Sequence, residues 1–379
     1  MSTVSDPASP QGAAGPRART RLLFLCKRRP QGRDLLQRPY GRFFNLPREL
    51  AALGHATEII LFDYANGTNE AASLNGVRIE SVGLRRNPLT LLRHVRDISQ
   101  SFAPDWVIGF SDIWYGILAK HIARFCGARC AIDAYDNYES YIPCALPAHL
   151  LWRRAIAHAD LVTAAGQPLL DHMSRARIRG RTAVVPMAAD DLFFQRDRNQ
   201  CRQELGLPSD IPLIGYMGSL DPSRDIRLLI EFMQDFAERV PTARFILSGR
   251  RLQTLKLPAN AIHLGYLADE QVPLLVNAMD VVLSLNLPSQ FGEHSYPAKI
   301  YEAAACNVPF VATSTLATRW MTTDRSASLC PAGDLDALIT NVLASLHLKS
   351  PDASLASTWS DSAIIFANAM DLASLDPTD

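Results

Sequence analysis

The chain has 379 residues, enough for two or three domains, and its 48% apolar and 20% charged content is that of a globular protein. Its 38 basic and 38 acidic side chains cancel, so nothing in the overall charge points to nucleic acid. The seven cysteines are scattered without a C-x-x-C pair, which argues against a disulfide framework or zinc site and fits a reducing cytoplasm.

Residues 1–20 read as a disordered tail, polar and rich in Pro, Ala and Gly, with no apolar core of a signal peptide. No apolar run is long enough to span a bilayer. From Arg17 to Arg48 ten basic residues face one acid, Asp34. An anionic partner or a negatively charged membrane surface fits there, and so does a solvated face. Arg21–Cys26 is a short apolar run expected to be a buried strand. Gly41–Leu53 follows as a helix closed by Gly54, with strands at 56–64 and 77–83. A helix is expected over 88–102, where Leu89, Leu92, Val95 and Ile98 have helical spacing. Its basic neighbours Arg85, Arg86, Arg93 and Arg96 suit either a membrane-facing or a solvated surface.

Strands at 104–110, 128–134, 161–164 and 182–185 alternate with helices at 114–126, 150–158 and 167–178. A second series begins near 211, with strands at 211–217, 244–248, 261–264, 281–285 and 310–312. Helices are expected there at 225–240, 269–278 and 296–305, and a last one at about 359–373. Strands alternating with helices imply βαβ units and parallel sheets, an α/β class in two halves. The expected division is 21–190, 191–355 and a final helix with its tail at 356–379.

Three strands of the second half end in glycine: Gly218, Gly249 and Gly265. Ligands of open parallel sheets bind beyond the C-terminal strand ends, and glycines there permit close backbone approach. The segment His294–Pro309 is more specific. Ser295 is placed to cap a helix, and Pro297 suits its first turn. The opening amides and Lys299 offer an anion site, and Glu302, three residues on, can accept from a ribose diol. An amphipathic surface helix with a Lys–Glu pair accounts for the same residues equally well.

Taken in order, several segments resemble the group 1, family-four glycosyltransferases of the GT-B fold. They are residues 46–60 (LPRELAALGHATEII), 159–170 (ADLVTAAGQPLL), 184–193 (VVPMAADDLF), 214–229 (IGYMGSLDPSRDIRLL), 262–280 (IHLGYLADEQVPLLVNAMD) and 357–370 (STWSDSAIIFANAM). The segment at 297–302 resembles the family branch written P-x-K-x-x-E. This resemblance implies two Rossmann-like domains facing across a cleft, with the last helix crossing back to the first domain. It implies a donor site on the second domain. There Glu302 holds a ribose, and the backbone of Pro297, Ala298, Lys299 and Ile300 binds a diphosphate with Ser295 beside it. Gly218, Ser219 and Arg250 adjoin the phosphates, and Gly265, Tyr266 and Leu267 line the base pocket. Arg224 and Lys299 are the implied cations.

On the acceptor side the implied residues are Gly41 and the patch around Asp136, with Asp133 and Glu139 as rivals. That acidic patch also suits a solvated loop or a metal site. Met187, Ala188, Ser219, His294 and Asn307 depart from the family pattern. The implied reaction is retaining transfer from a nucleotide sugar to a glycan or lipid-linked acceptor, in cell-surface polysaccharide or glycoconjugate synthesis. It needs no essential metal and no cofactor, and the implied location is the cytoplasm, at or near the inner face of a membrane. A nucleotide-sugar epimerase and a non-catalytic nucleotide-sugar-binding protein remain as alternatives.

Overall fold

The computed structural model describes residues 19–65, 69–84, 88–176, 178–220, 224–250, 255–322, 328–348, 355 and 357–372. Arg17, Arg85, Arg86 and all but the last two residues of the expected tail lie outside them.

The first sheet contains β1 (Arg21–Lys27), β2 (Ala56–Asp63), β3 (Glu70–Leu74), β4 (Val77–Gly83), β5 (Trp106–Gly109), β6 (Arg129–Ala134), β7 (Leu161–Ala164) and β8 (Arg181–Val184). Their order is β3-β4-β2-β1-β5-β6-β7-β8, and only the β3–β4 pair is antiparallel. Leu22–Cys26 in the centre are fully buried, as a strand covered on both faces requires. The sequence reading missed β3. Its signal was Asn75-Gly76, both at positive φ (48° and 79°), the two-residue turn that a tight hairpin favours.

The second sheet holds β9 (Leu213–Met217), β10 (Arg244–Ser248), β11 (Ala261–His263), β12 (Val281–Ser284), β13 (Phe310–Thr313) and β14 (Leu329–Cys330). Its order is β11-β10-β9-β12-β13-β14, parallel throughout. The strand order reverses between β1 and β5 in one sheet and between β9 and β12 in the other. Those switch points open the crevices in which doubly wound sheets bind ligands.

Helices α1 (Gly41–Ala52), α2 (Pro88–Phe102), α3 (Ile113–Cys126), α4 (Leu146–Ala157) and α5 (Gln167–Ser174) accompany the first sheet. The others are α6 (Arg198–Glu204), α7 (Ile226–Arg239), α8 (Gln271–Ala278), α9 (Ala298–Ala305), α10 (Leu316–Met321), α11 (Leu335–Leu346) and α12 (Trp359–Ala369). Helix α4 starts four residues before its expected position, and α6, α10, α11 and β14 were not foreseen. Thr358 and Asp361 form a reciprocal cap at the start of α12. The expected crossing is present: α12 packs on α1 and β8, with Trp359 and Phe366 buried.

The basic stretch before residue 48 is largely neutralised inside the fold. Arg28 is buried against Asp34, Asp63 and Glu70, and Arg29 pairs with Asp34 and Asp63. Arg33 and Arg38 meet Asp269, Arg42 meets Asp133, and Arg48 meets Glu49 and Asp191. With Arg21 beside Asp105, seven of these cations among the described residues pair with this chain's own carboxylates, which leaves less charge in the stretch for an anionic partner or membrane. On α2, Arg96 turns to His121 and lies over the Phe125 ring.

Candidate active site

The glycine-ended strands converge as the pattern implied. The Gly218 amide donates to the Ser248 carbonyl at 2.8 Å, and the Gly249 amide donates to the Gly265 carbonyl at 2.7 Å. All three glycines have positive φ (148°, 116° and 72°), a region costly for other residues. A Cβ on Gly249 would come within 2.5 Å of the Gly218 carbonyl oxygen. The two loops therefore touch through backbone alone.

Helix α9 brings its charge onto this platform. A Cβ on Gly218 would lie 2.5 Å from Lys299 Nζ, and that ammonium sits 5.4 Å from the Tyr216 ring centroid. Ser295 does not cap the helix. Pro297 is its N-cap, no side chain satisfies the opening amides, and Ser295 lies buried against Asp136. The Ile300 amide donates to the Pro297 carbonyl at 3.1 Å, and Pro297 has no N–H. Neither amide is thus available to a diphosphate, and the anion site rests on the Ala298 amide with the Lys299 ammonium over Gly218.

Glu302 follows one turn later and is half-buried. Burial and the negative charge of Asp190 push its carboxyl up to about 7, against the opposing pull of Lys299 and Arg33. Asp190 itself ties α1 to α12. It accepts from the Gly41 amide at 3.1 Å, from Asn45 Nδ2 at 2.7 Å and from Trp359 Nε1 at 3.0 Å. Asp190 lies in the 184–193 segment, and nothing local in the sequence marks this role.

Arg224 reaches the switch point from the other side. It donates to Asn286 Oδ1, just beyond β12, and its guanidinium lies 5.5 Å from the Phe291 ring centroid. Its positive charge also acts on Asp136, across the cleft. Asp136 follows β6 and is 3% exposed. The Tyr141 hydroxyl donates to its Oδ2 at 2.7 Å, and its Oδ1 has no hydrogen-bond partner. Burial pushes this carboxyl up to about 7, against the Tyr141 bond and the Arg224 charge.

The rival carboxylates behave differently. Asp133 is fully buried, gripped by Arg42 Nε and Nη2 at 2.8 and 2.6 Å, and accepts from Thr163. Its two oxygens are engaged in the core, so it is removed from the acceptor side. Glu139 forms a two-pronged pair with Arg153 at 2.8 and 2.7 Å, which holds its carboxyl below the usual range despite burial. Together with Asp136, Trp152, Arg153, His172 and Arg175 it lines a cavity of about 260 Å3 beside the cleft. Ser219 and Arg250 are exposed, Tyr266 is 68% exposed, and Leu267 is half-buried.

The cleft is stitched across by the segment before α9. The His294 ring lies 4.8 Å from that of His172, and the Asn137 amide donates to the Gln290 carbonyl. The Tyr296 hydroxyl accepts from the Leu169 amide. His294, a departure from the family pattern, is therefore a contact between the two halves. Asn286, Phe291, Asp190 and Arg33 were missed because they meet the site only through tertiary packing.

Two family models match the chain: the glycosyl transferase 4-like domain over residues 42–188 and the glycosyl transferases group 1 domain over 211–347. The fold is that of solved GT-B glycosyltransferases. The chain is similar to sucrose-phosphate synthase from Thermosynechococcus elongatus, with 16% identity over 93% of this chain and 97% of that one and a TM-score of 0.68. It is also similar to Anabaena HepE in complex with UDP (18% identity, 95% and 96% covered, TM-score 0.65). A glycosyltransferase from Rickettsia africae matches at 15% identity, with 96% of each chain covered and a TM-score of 0.64. No curated protein sequence matches the chain. The two domain matches and the two-sheet architecture define a GT-B glycosyltransferase. The chain belongs to the group 1 glycosyltransferases.

Proposed function

We propose that this enzyme transfers a sugar, with retention, from a nucleoside-diphosphate sugar to a glycan or lipid-linked acceptor in the synthesis of cell-surface polysaccharide or glycoconjugate. The observation that carries this reading is Lys299 Nζ lying over Gly218 with Glu302 one turn further on. A diphosphate fits the ammonium and the helix start, and a ribose diol fits the carboxylate. The Anabaena protein HepE has been solved with UDP-glucose in the same fold, which supports a donor of this class.

Cleavage of the glycosidic bond releases a diphosphate whose negative charge grows in the transition state. Lys299 and Arg224 stabilise that charge, and these two fixed cations serve where other transferases use a divalent metal. The acceptor hydroxyl attacks from the side of the departing phosphate, which takes up its proton. Asp136, with one free oxygen and the Tyr141 hydroxyl on the other, positions a sugar hydroxyl at the cleft. Among the described residues, no helix is long and apolar enough to cross a membrane. The seven cysteines, scattered without a C-x-x-C pair, support a place in a reducing cytoplasm as part of this proposal.

Incubating the protein with a panel of nucleotide sugars, with and without membrane extract, tests the reading. Acceptor-dependent release of nucleotide is the expected result. Interconversion of the donor would show an epimerase, and binding without turnover a non-catalytic binding protein.

A further inference from the structure

Helix α4 is apolar on two sides. Its inner side, Ala148, Trp152, Ala155 and Ile156, is buried in the first domain. Its outer side carries Leu146, Leu150 and Leu151, which are 68%, 67% and 53% exposed. An ordinary surface helix shows one apolar stripe and one polar face. From Tyr141 to Trp152 the chain has no Asp, Glu, Lys or Arg. Helix α3 packs beside α4. Because β5 and β6 are parallel, both helices start at the same edge of the sheet. Exposed Trp114 at the start of α3 therefore lies at the same end as Leu146. Exposed apolar groups gathered in this way mark an interaction surface.

Charge identifies the occupant. Neither α3 nor α4 contains an acidic residue, while exposed Arg124 and Arg154 follow the apolar turns. A second copy of the chain would set these cations against one another. An anionic bilayer accepts leucines and tryptophan into its interface and meets arginines with phosphate. We infer that the outer face of α4, with the start of α3, docks the enzyme on an anionic lipid surface. Tyr141, five positions after Asp136, donates to it and stands at the start of this face. A lipid-linked acceptor held in that bilayer would reach the cleft without leaving it. The inference deepens the reading of a lipid-linked acceptor and rests on it for that last step alone.

The full chain is sedimented with vesicles of phosphatidylcholine alone and of phosphatidylcholine with one third phosphatidylglycerol. It is expected to pellet with the second, less so as salt rises. The triple variant Leu146→Ser, Leu150→Ser, Leu151→Ser should lower vesicle partitioning at least about tenfold. Its melting temperature and nucleotide affinity should stay at parent values. No pelleting with anionic vesicles, or equal pelleting of the triple variant, overturns the inference. So does a dimer of the parent that the variant dissociates, since the occupant is then a second copy. Vesicle binding without any turnover of nucleotide sugars would leave the docking face standing and sink the proposed function instead.

Discussion

Glu302 and Lys299 sit one turn apart on α9, yet they should fail differently when changed. The Glu302 carboxylate is assigned to the bound nucleotide, so Glu302→Gln should raise the nucleotide dissociation constant roughly tenfold to a hundredfold, the worth of a charged hydrogen bond. Calorimetric titration with the nucleoside diphosphate checks this, and unchanged affinity would remove Glu302 from the donor site. Lys299 meets a charge that grows during the reaction. Lys299→Ala should therefore lower kcat about 100-fold to 1,000-fold, with a smaller loss of affinity. Steady-state kinetics separates the two effects. Both residues were legible in the sequence because their spacing alone places them on one helical face. Asp190, which presses on Glu302 from 112 positions earlier in the chain, has no such local signature. Asp133 misled for the same reason: its partner Arg42 lies on a different element, 91 residues away.

The elements most easily read were those whose burial is simplest. Apolar runs such as Leu22–Cys26 mark the central strands, and α7, expected at 225–240, buries Leu228, Leu229, Phe232, Met233 and Phe236 along one side. Helix α11 has an equally good signal, an Asp334 cap followed by buried Leu338, Ile339 and Val342, but it was not read. Edges were harder. Strand β3 is partly exposed and pairs on one side only, so its hydrophobic pattern is weak and only its turn announces it. The glycine platform makes a prediction at this scale. Gly249→Ala puts a Cβ against the Gly218 backbone at an unfavourable φ, a strain of about 1–3 kcal/mol. Thermal melting should fall accordingly, and nucleotide affinity should fall with it because the phosphate loop is displaced. A variant with parent stability and affinity would show that the two loops do not depend on this contact.

Over the whole molecule, buried carboxyls set the dependence of stability on pH. Glu58, Asp136 and Glu302 are each pushed up to about 7, burial being the largest cause in all three. Glu58 is fully buried, and neither of its oxygens has a hydrogen-bond partner. The folded chain keeps these protons at pH values where the unfolded chain has released them. Their contribution is therefore complete below the ordinary carboxyl range and is lost as pH rises through about 7. The melting temperature of the free enzyme should fall between pH 5 and pH 8, roughly. Glu58→Gln should flatten that fall and raise stability at pH 8 by on the order of 2 kcal/mol. A melting temperature that rises over the same interval would contradict the assignment.

Helix α12 has a consequence for synthesis. The first domain buries Trp359 and Phe366, which the ribosome adds only after the whole second sheet. Until then α1 lacks its cover and Asp190 lacks the Trp359 donor. The domain made first is thus the domain finished last, and it must wait in a nascent, partly open form while the second folds. Chains halted before Thr358 should be cut readily by protease within the first domain, and chains extended past Leu372 should resist.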